Sequence, residues 1–152
     1  MNRLVFVYGT LKRGEPNHRF LEASKGIARY VGTAVLREAY PLVIASKYNI
    51  PFLLNKSGEG HRIRGEVYDV DGKTMESLDE LEGYPDLYTR EEKEVEMADR
   101  SVALAWVYIL RNHDEKLLAT ATVPLDEYRS MGDHGRPYVD GEDCGTYEDL
   151  FR

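Results

Sequence analysis

Residues 4–14 read LVFVYGTLKRG, from Leu4 to Gly14. Four consecutive apolar residues, Leu4 to Val7, lead through Tyr8 straight into Gly9, Thr10 and Leu11. An uninterrupted apolar run of this length is the pattern of a strand covered on both faces, and so central in its sheet. A glycine at the carboxyl end of such a strand lets the backbone come close to a ligand. It can also aim the successive N–H groups of Gly9, Thr10 and Leu11 into one anion-binding concavity. A tight turn with no ligand fits the same residues equally well.

Working outward, β-rich segments follow at IARYVGTAVL (27–36), YPLVIA (40–45), PFLLN (51–55) and RIRGEVYDV (62–70), separated by Gly, Pro, Asn and Ser. A short helix is expected over PNHRFLEASKG (16–26), with Asn17 as N-cap and Gly26 as stop. KTMESLDELEGYP (73–85) is the clearest helix, with Thr74 able to cap it and Gly83 and Pro85 ending it. TREEKEVEM (89–97) and VALAWVYIL (102–110), joined by ADRS, read as a hairpin. The stretch beyond Val123 is rich in glycine, aspartate and tyrosine and predicts no regular element. The pattern predicts an α+β fold, a single compact domain over residues 1–152 with a mixed, barrel-like sheet and a few flanking helices.

At 152 residues, 42% hydrophobic and 31% charged, the chain is globular in composition, and no apolar run approaches the roughly 20 residues that span a bilayer. A soluble protein with no membrane partner is expected. The N-terminal apolar stretch is shorter than a secretory signal and reads as structural strand. The one cysteine, Cys144, excludes an intramolecular disulfide, and a cytoplasmic monomer is the expectation. The net charge of -7 opposes nucleic acid as a partner. Much of that charge lies in an acidic C-terminal tail from about residue 126, which is expected to be solvated and partly mobile.

Little in the sequence offers a nucleophile or a metal. His18, His61, His113 and His134 lie far apart, with no ligand pair between them. Gly9 and Gly14 have the spacing of a phosphate-binding loop, but Glu15 and Pro16 stand where lysine and a hydroxyl are required. There is no nucleophile elbow, and Cys144 lies among acidic residues that raise a thiol pKa. The informative residue lies in the second helix. On a helical wheel Met75, Leu78 and Leu81 define an apolar stripe, and Glu82 falls roughly 40° from its centre. Glu76 and Glu80 fall on the far side, and Asp79 roughly 100° away, toward solvent. An inward carboxyl in the last helical turn has its pKa raised by burial and by the negative end of the helix dipole, which suits a general base. The alternative is a frayed helix end from which Glu82 curls out to water beside Gly83.

VFVYGTLKRGEPNH, YPLVIASKYNIPFLLN, GEVYDVD, LDELEGYPDLYTR and, more loosely, GDHGRPY resemble the γ-glutamylcyclotransferase-like superfamily, and PNH and NIPFLL favour its γ-glutamylamine cyclotransferase branch. The resemblance covers most of residues 4–90 and a patch at 134–138. It implies a compact barrel-like domain and a reaction without cofactor on a small γ-glutamyl substrate, above all the γ-glutamyl-ε-lysine isopeptide left from crosslinked proteins. In that reaction the substrate's α-amino group attacks its own γ-carbonyl, releasing 5-oxoproline and the free amine. By position Glu82 matches the family's catalytic acid/base, and Tyr8, Gly9, Thr10 and Leu11 match its substrate-binding loop. A substrate that brings its own nucleophile accounts for the missing Ser, Cys or Lys. Two alternatives stay open: the same chemistry on γ-glutamyl α-amino acids or glutathione, and a ligand-binding module of the same fold without catalysis.

Overall fold

A computed structural model describes residues 3–22 and 26–139. Five strands close a barrel in the order β1 (Arg3–Val7), β5 (Arg64–Val70), β2 (Ala28–Leu36), β6 (Tyr88–Met97) and β7 (Val102–Leu110). β1 runs antiparallel to β5 and parallel to β7, the latter through Val5 opposite Trp106, and that parallel contact closes the barrel. The barrel is thus mixed, as expected, and β1 has a neighbour on each side. The hairpin β6–β7 pairs from Tyr88 opposite Leu110 to Glu96 opposite Val102. β3 (Leu42–Ala45) and β4 (Ile50–Leu53) form a separate two-stranded sheet.

The apolar run of β1 explains its place. Side chains alternate along a strand, so Val5 and Val7 enter one buried cluster while Phe6 and Tyr8 enter a second on the opposite face. The first cluster also receives Met75 and Leu78 of the helix α2 (Gly72–Glu82), each almost fully buried. Their burial contributes roughly 1.5–3 kcal/mol apiece and docks α2 on the barrel wall. Asp71 rather than Thr74 caps this helix, its carboxylate accepting from the Thr74 N–H at 3.0 Å. Gly83 ends the helix in the left-handed conformation, at φ 65°, that glycine adopts without cost.

Two shorter helices complete the described residues: α1 (Arg19–Glu22) and α3 (Glu115–Thr120). α1 is shorter than the expected segment, and the Asn17 side chain turns to Thr10 instead of capping it. α3 went unread because it is six residues long with only Leu117 buried, too short to show a period.

The first part of the acidic tail is packed rather than solvated. Tyr128 is fully buried, and Asp126 accepts from the Arg64 N–H through its backbone carbonyl. Arg136 donates to Asn49 Oδ1 (2.9 Å) and to the carbonyls of Ile44 (3.2 Å), Ser46 (3.0 Å) and Thr120. One guanidinium therefore staples the tail to β3, the β3–β4 turn and the end of α3. Residues 140–152, with Cys144 and the most acidic part of the tail, lie outside the described residues.

Candidate active site

The carboxyl end of β1 opens into a cavity of about 70 Å³ walled by Tyr8, Gly9, Thr10 and Leu11 on one side. Phe6 and Val7 of β1, Ile50 and Pro51 of β4, Tyr88 of β6, Tyr108 of β7 and Glu82 of α2 form the rest of its lining. All five residues singled out from the sequence meet at this one cleft. Their neighbours Ile50, Pro51, Tyr88 and Tyr108 were not foreseen, since only barrel closure and the separate β3–β4 sheet bring them there.

Glu82 reaches the cleft because it shares a face with Leu78, one turn back, and Met75, two turns back. The buried face differs from the expected one at Thr74 and Leu81. Thr74 is fully buried and donates to the Ile27 carbonyl (3.1 Å), whereas Leu81, seven residues on and pointing nearly the same way, is 42% exposed. That face of α2 is covered only at its N-terminal end. Glu82 is partly buried, and loss of hydration pushes its carboxyl up from 4.5 to about 7.

The three tyrosines around it are held neutral. Burial, with smaller contributions from the nearby Glu82 charge, pushes Tyr8 and Tyr88 well above the ordinary phenol value. Tyr108 is raised too, by burial and then by its hydrogen bond to Asp79. Glu82 is therefore the one lining residue that changes charge near neutrality. Tyr8 donates its hydroxyl proton to the Tyr108 carbonyl (2.7 Å), tying the end of β1 to β7 across the cleft.

Asp79 corrects the wheel. Instead of facing solvent it receives the Tyr108 hydroxyl at 2.6 Å and a two-pronged contact from Arg90, at 2.8 Å from Nε and 3.2 Å from Nη2. The guanidinium of Arg90 also lies 4.6 Å from the ring centroids of both Tyr84 and Trp106. At roughly 100° from the apolar stripe the wheel assigns Asp79 to solvent, but the barrel wall presents that flank of α2 with a cation and a phenol. Both members of the Asp79–Arg90 pair are mostly buried, with side chains 20% and 16% exposed. Arg90→Ala is expected to destabilise the fold by about 2–4 kcal/mol, because it strands the Asp79 charge beside α2. Urea unfolding measures this; an unchanged midpoint would mean that the pair does not hold the helix.

At Tyr8 to Leu11 the carbonyls and amides are used unequally. Gly9 accepts from the Lys12 N–H (3.2 Å) and Thr10 from the Asn17 N–H (2.8 Å), while the Leu11 carbonyl lies 2.8 Å from His18 Nδ1. Among the described residues no protein acceptor takes the N–H of Gly9, Thr10 or Leu11. Three lone amides beside one titrating carboxyl can hold a carboxylate or an oxyanion while a proton is moved. Among the described residues no three His, Cys, Asp or Glu side chains come close enough to hold a metal ion.

Residues 5–130 match the family described as gamma-glutamyl cyclotransferase, AIG2-like, and the chain belongs to that family. It is an enzyme of the γ-glutamyl cyclotransferase type. It is 45% identical over 144 residues to gamma-glutamylaminecyclotransferase of Bos taurus, covering 88% of this chain and 80% of that protein. With gamma-glutamylaminecyclotransferase B of Danio rerio the identity is 44% over 145 residues, covering 92% and 75% of the two chains. The crystal structure of an AIG2-like protein from Mus musculus superimposes with a TM-score of 0.87 at 36% identity, covering 93% of this chain and 98% of that one. No helix among the described residues is long and apolar enough to cross a membrane.

Proposed function

We propose that the protein cyclises γ-glutamyl amines such as γ-glutamyl-ε-lysine, releasing 5-oxoproline and the free amine, with Glu82 as the acid/base. The observation that carries this reading is the single carboxyl, raised to about 7, facing the unpaired amides of the Tyr8 to Leu11 loop. The γ-glutamylamine names of the relatives from Bos taurus and Danio rerio support the choice of substrate.

In this mechanism the cleft holds the substrate's α-nitrogen against its own γ-carbonyl, which converts attack into a step within one bound molecule. Glu82 in its ionised form takes a proton from the α-ammonium. The freed nitrogen bonds to the γ-carbon, and negative charge grows on the γ-oxygen. The loop amides offset that charge or hold the substrate's carboxylate in place. Glu82 returns protons from the attacking nitrogen to the leaving one, the old carbon–nitrogen bond breaks, and the lactam closes. No water is consumed, and atoms and charge balance between one γ-glutamyl amine and two products.

The test is direct. Purified protein incubated with γ-glutamyl-ε-lysine and, in parallel, glutathione is expected to produce 5-oxoproline from the isopeptide at much the higher kcat/KM. Release from glutathione at an equal or greater kcat/KM would move the substrate assignment away from γ-glutamyl amines.

A further inference from the structure

The segment Asn17 and His18 lines no part of the cleft, yet it holds the loop that does. A trans peptide points its carbonyl and the following N–H in opposite directions, so fixing the carbonyl fixes the amide. The Thr10 carbonyl is drawn to the Asn17 N–H, which turns the Leu11 N–H the other way. The Asn17 side chain adds a second hold, Nδ2 donating to Thr10 Oγ1 at 3.0 Å. At the next peptide the Leu11 carbonyl meets His18 Nδ1 at 2.8 Å. This turns the Lys12 N–H the other way, onto the Gly9 carbonyl (3.2 Å), and that hold on the Gly9 carbonyl directs the Thr10 N–H away from it. A carbonyl only accepts, so Nδ1 carries the proton in the contact between His18 and Leu11. The ring is kept in place by Tyr68, at 6.0 Å between centroids, and by Glu22, 3.7 Å from Nε2 and one turn on.

We infer that His18, together with Asn17, is a positioning residue for the reaction, whose Nδ1–H sets the peptide planes of the loop so that its free amides face the cleft. The inference rests on the reading of Tyr8 to Leu11 as the substrate-binding loop. It also gives the PNH segment a physical task, since Pro16 starts a turn that returns Asn17 and His18 to the backs of Thr10 and Leu11.

Asparagine and glutamine separate this role from a merely structural one. The amide nitrogen of an asparagine overlays Nδ1 of histidine, and that of a glutamine overlays Nε2. His18→Asn is therefore expected to keep kcat/KM within about threefold of wild type, and His18→Gln to lose about tenfold, carried mostly by KM. Equal kinetics for the two variants would overturn the inference. The second readout is the amide spectrum of Gly9, Thr10 and Leu11 during titration with 5-oxoproline. The expected result is a clear response in the wild type and in His18→Asn, and a weakened one in His18→Gln. No response at these amides in the wild type would defeat the loop reading itself, whereas a full response in His18→Gln would defeat only the role of His18.

Discussion

Glu82→Gln is expected to lower turnover by about 10²- to 10⁴-fold while the protein stays folded and still binds substrate. Glutamine keeps the size and an acceptor oxygen but cannot take a proton from an ammonium at neutral pH. Stability should move in the opposite direction from activity. The Glu82 carboxyl sits near 7 in the folded chain against an ordinary 4.5, so the fold favours its protonated form. Below 4.5 both folded and unfolded chains hold the proton and there is no penalty. Between 4.5 and 7 the unfolded chain ionises first, and above 7 the folded state bears the full cost of the buried charge. Glu82→Gln should therefore match wild type near pH 4 and exceed it at pH 8, by on the order of 2 kcal/mol once partial exposure is allowed for. The wild-type rate should fall about tenfold per pH unit below 7 as the base form is lost. Glu80→Gln, on the exposed side of α2, is the control and should be silent. Near wild-type turnover by Glu82→Gln, or equal loss in Glu80→Gln, would remove Glu82 from the chemistry.

Gly9→Ala carries the second large effect. A Cβ on Gly9 would stand 2.9 Å from Pro51 Cγ, closer than real side chains approach. Pro51 belongs to β4, opposite Ile44, and is itself buried, so its ring cannot swing clear. The loop must shift instead, carrying the Gly9, Thr10 and Leu11 amides with it. A displacement of about 1 Å in a positioning group can cost on the order of a hundredfold, so kcat/KM should drop by about 10- to 100-fold, with KM rising and the barrel intact. Steady-state kinetics beside a melting curve decide it. Unchanged KM would show that the close approach of loop and β4 has no bearing on substrate.

The parts of the fold that were legible are those with a long, clean period. β1 was readable because both of its faces are buried, and α2 because Met75 and Leu78 recur at helical spacing. The β6–β7 hairpin was readable from two strand patterns joined by a short polar link. What failed did so where polar groups are buried against polar partners. Asp79 reads as solvent-facing until Arg90 and Tyr108 are brought beside it, and Arg136 reads as tail until the carbonyls of Ile44, Ser46 and Thr120 converge on it. Leu81 failed for the converse reason, an apolar residue at the uncovered C-terminal end of its face of α2.

The sequence by itself indicated that β1 is central, that it runs out toward a glycine, and that Glu82 lies near the apolar stripe of α2, with a frayed end as the alternative. Each of these follows from periodicity and from the conformational freedom of one residue, which are properties of adjacent positions. Tertiary structure alone decided that the end of β1, Pro51, Tyr88, Tyr108 and Glu82 share one cleft. It also decided that three loop carbonyls are occupied while their amides stay free, and that the Glu82 carboxyl rises to about 7. Barrel closure pairs Val5 with Trp106, about 100 residues away, and a side-chain period states which face a residue takes but not which partner meets it. Desolvation is likewise a sum over every neighbour that displaces water, and those neighbours come from four separate segments of the chain.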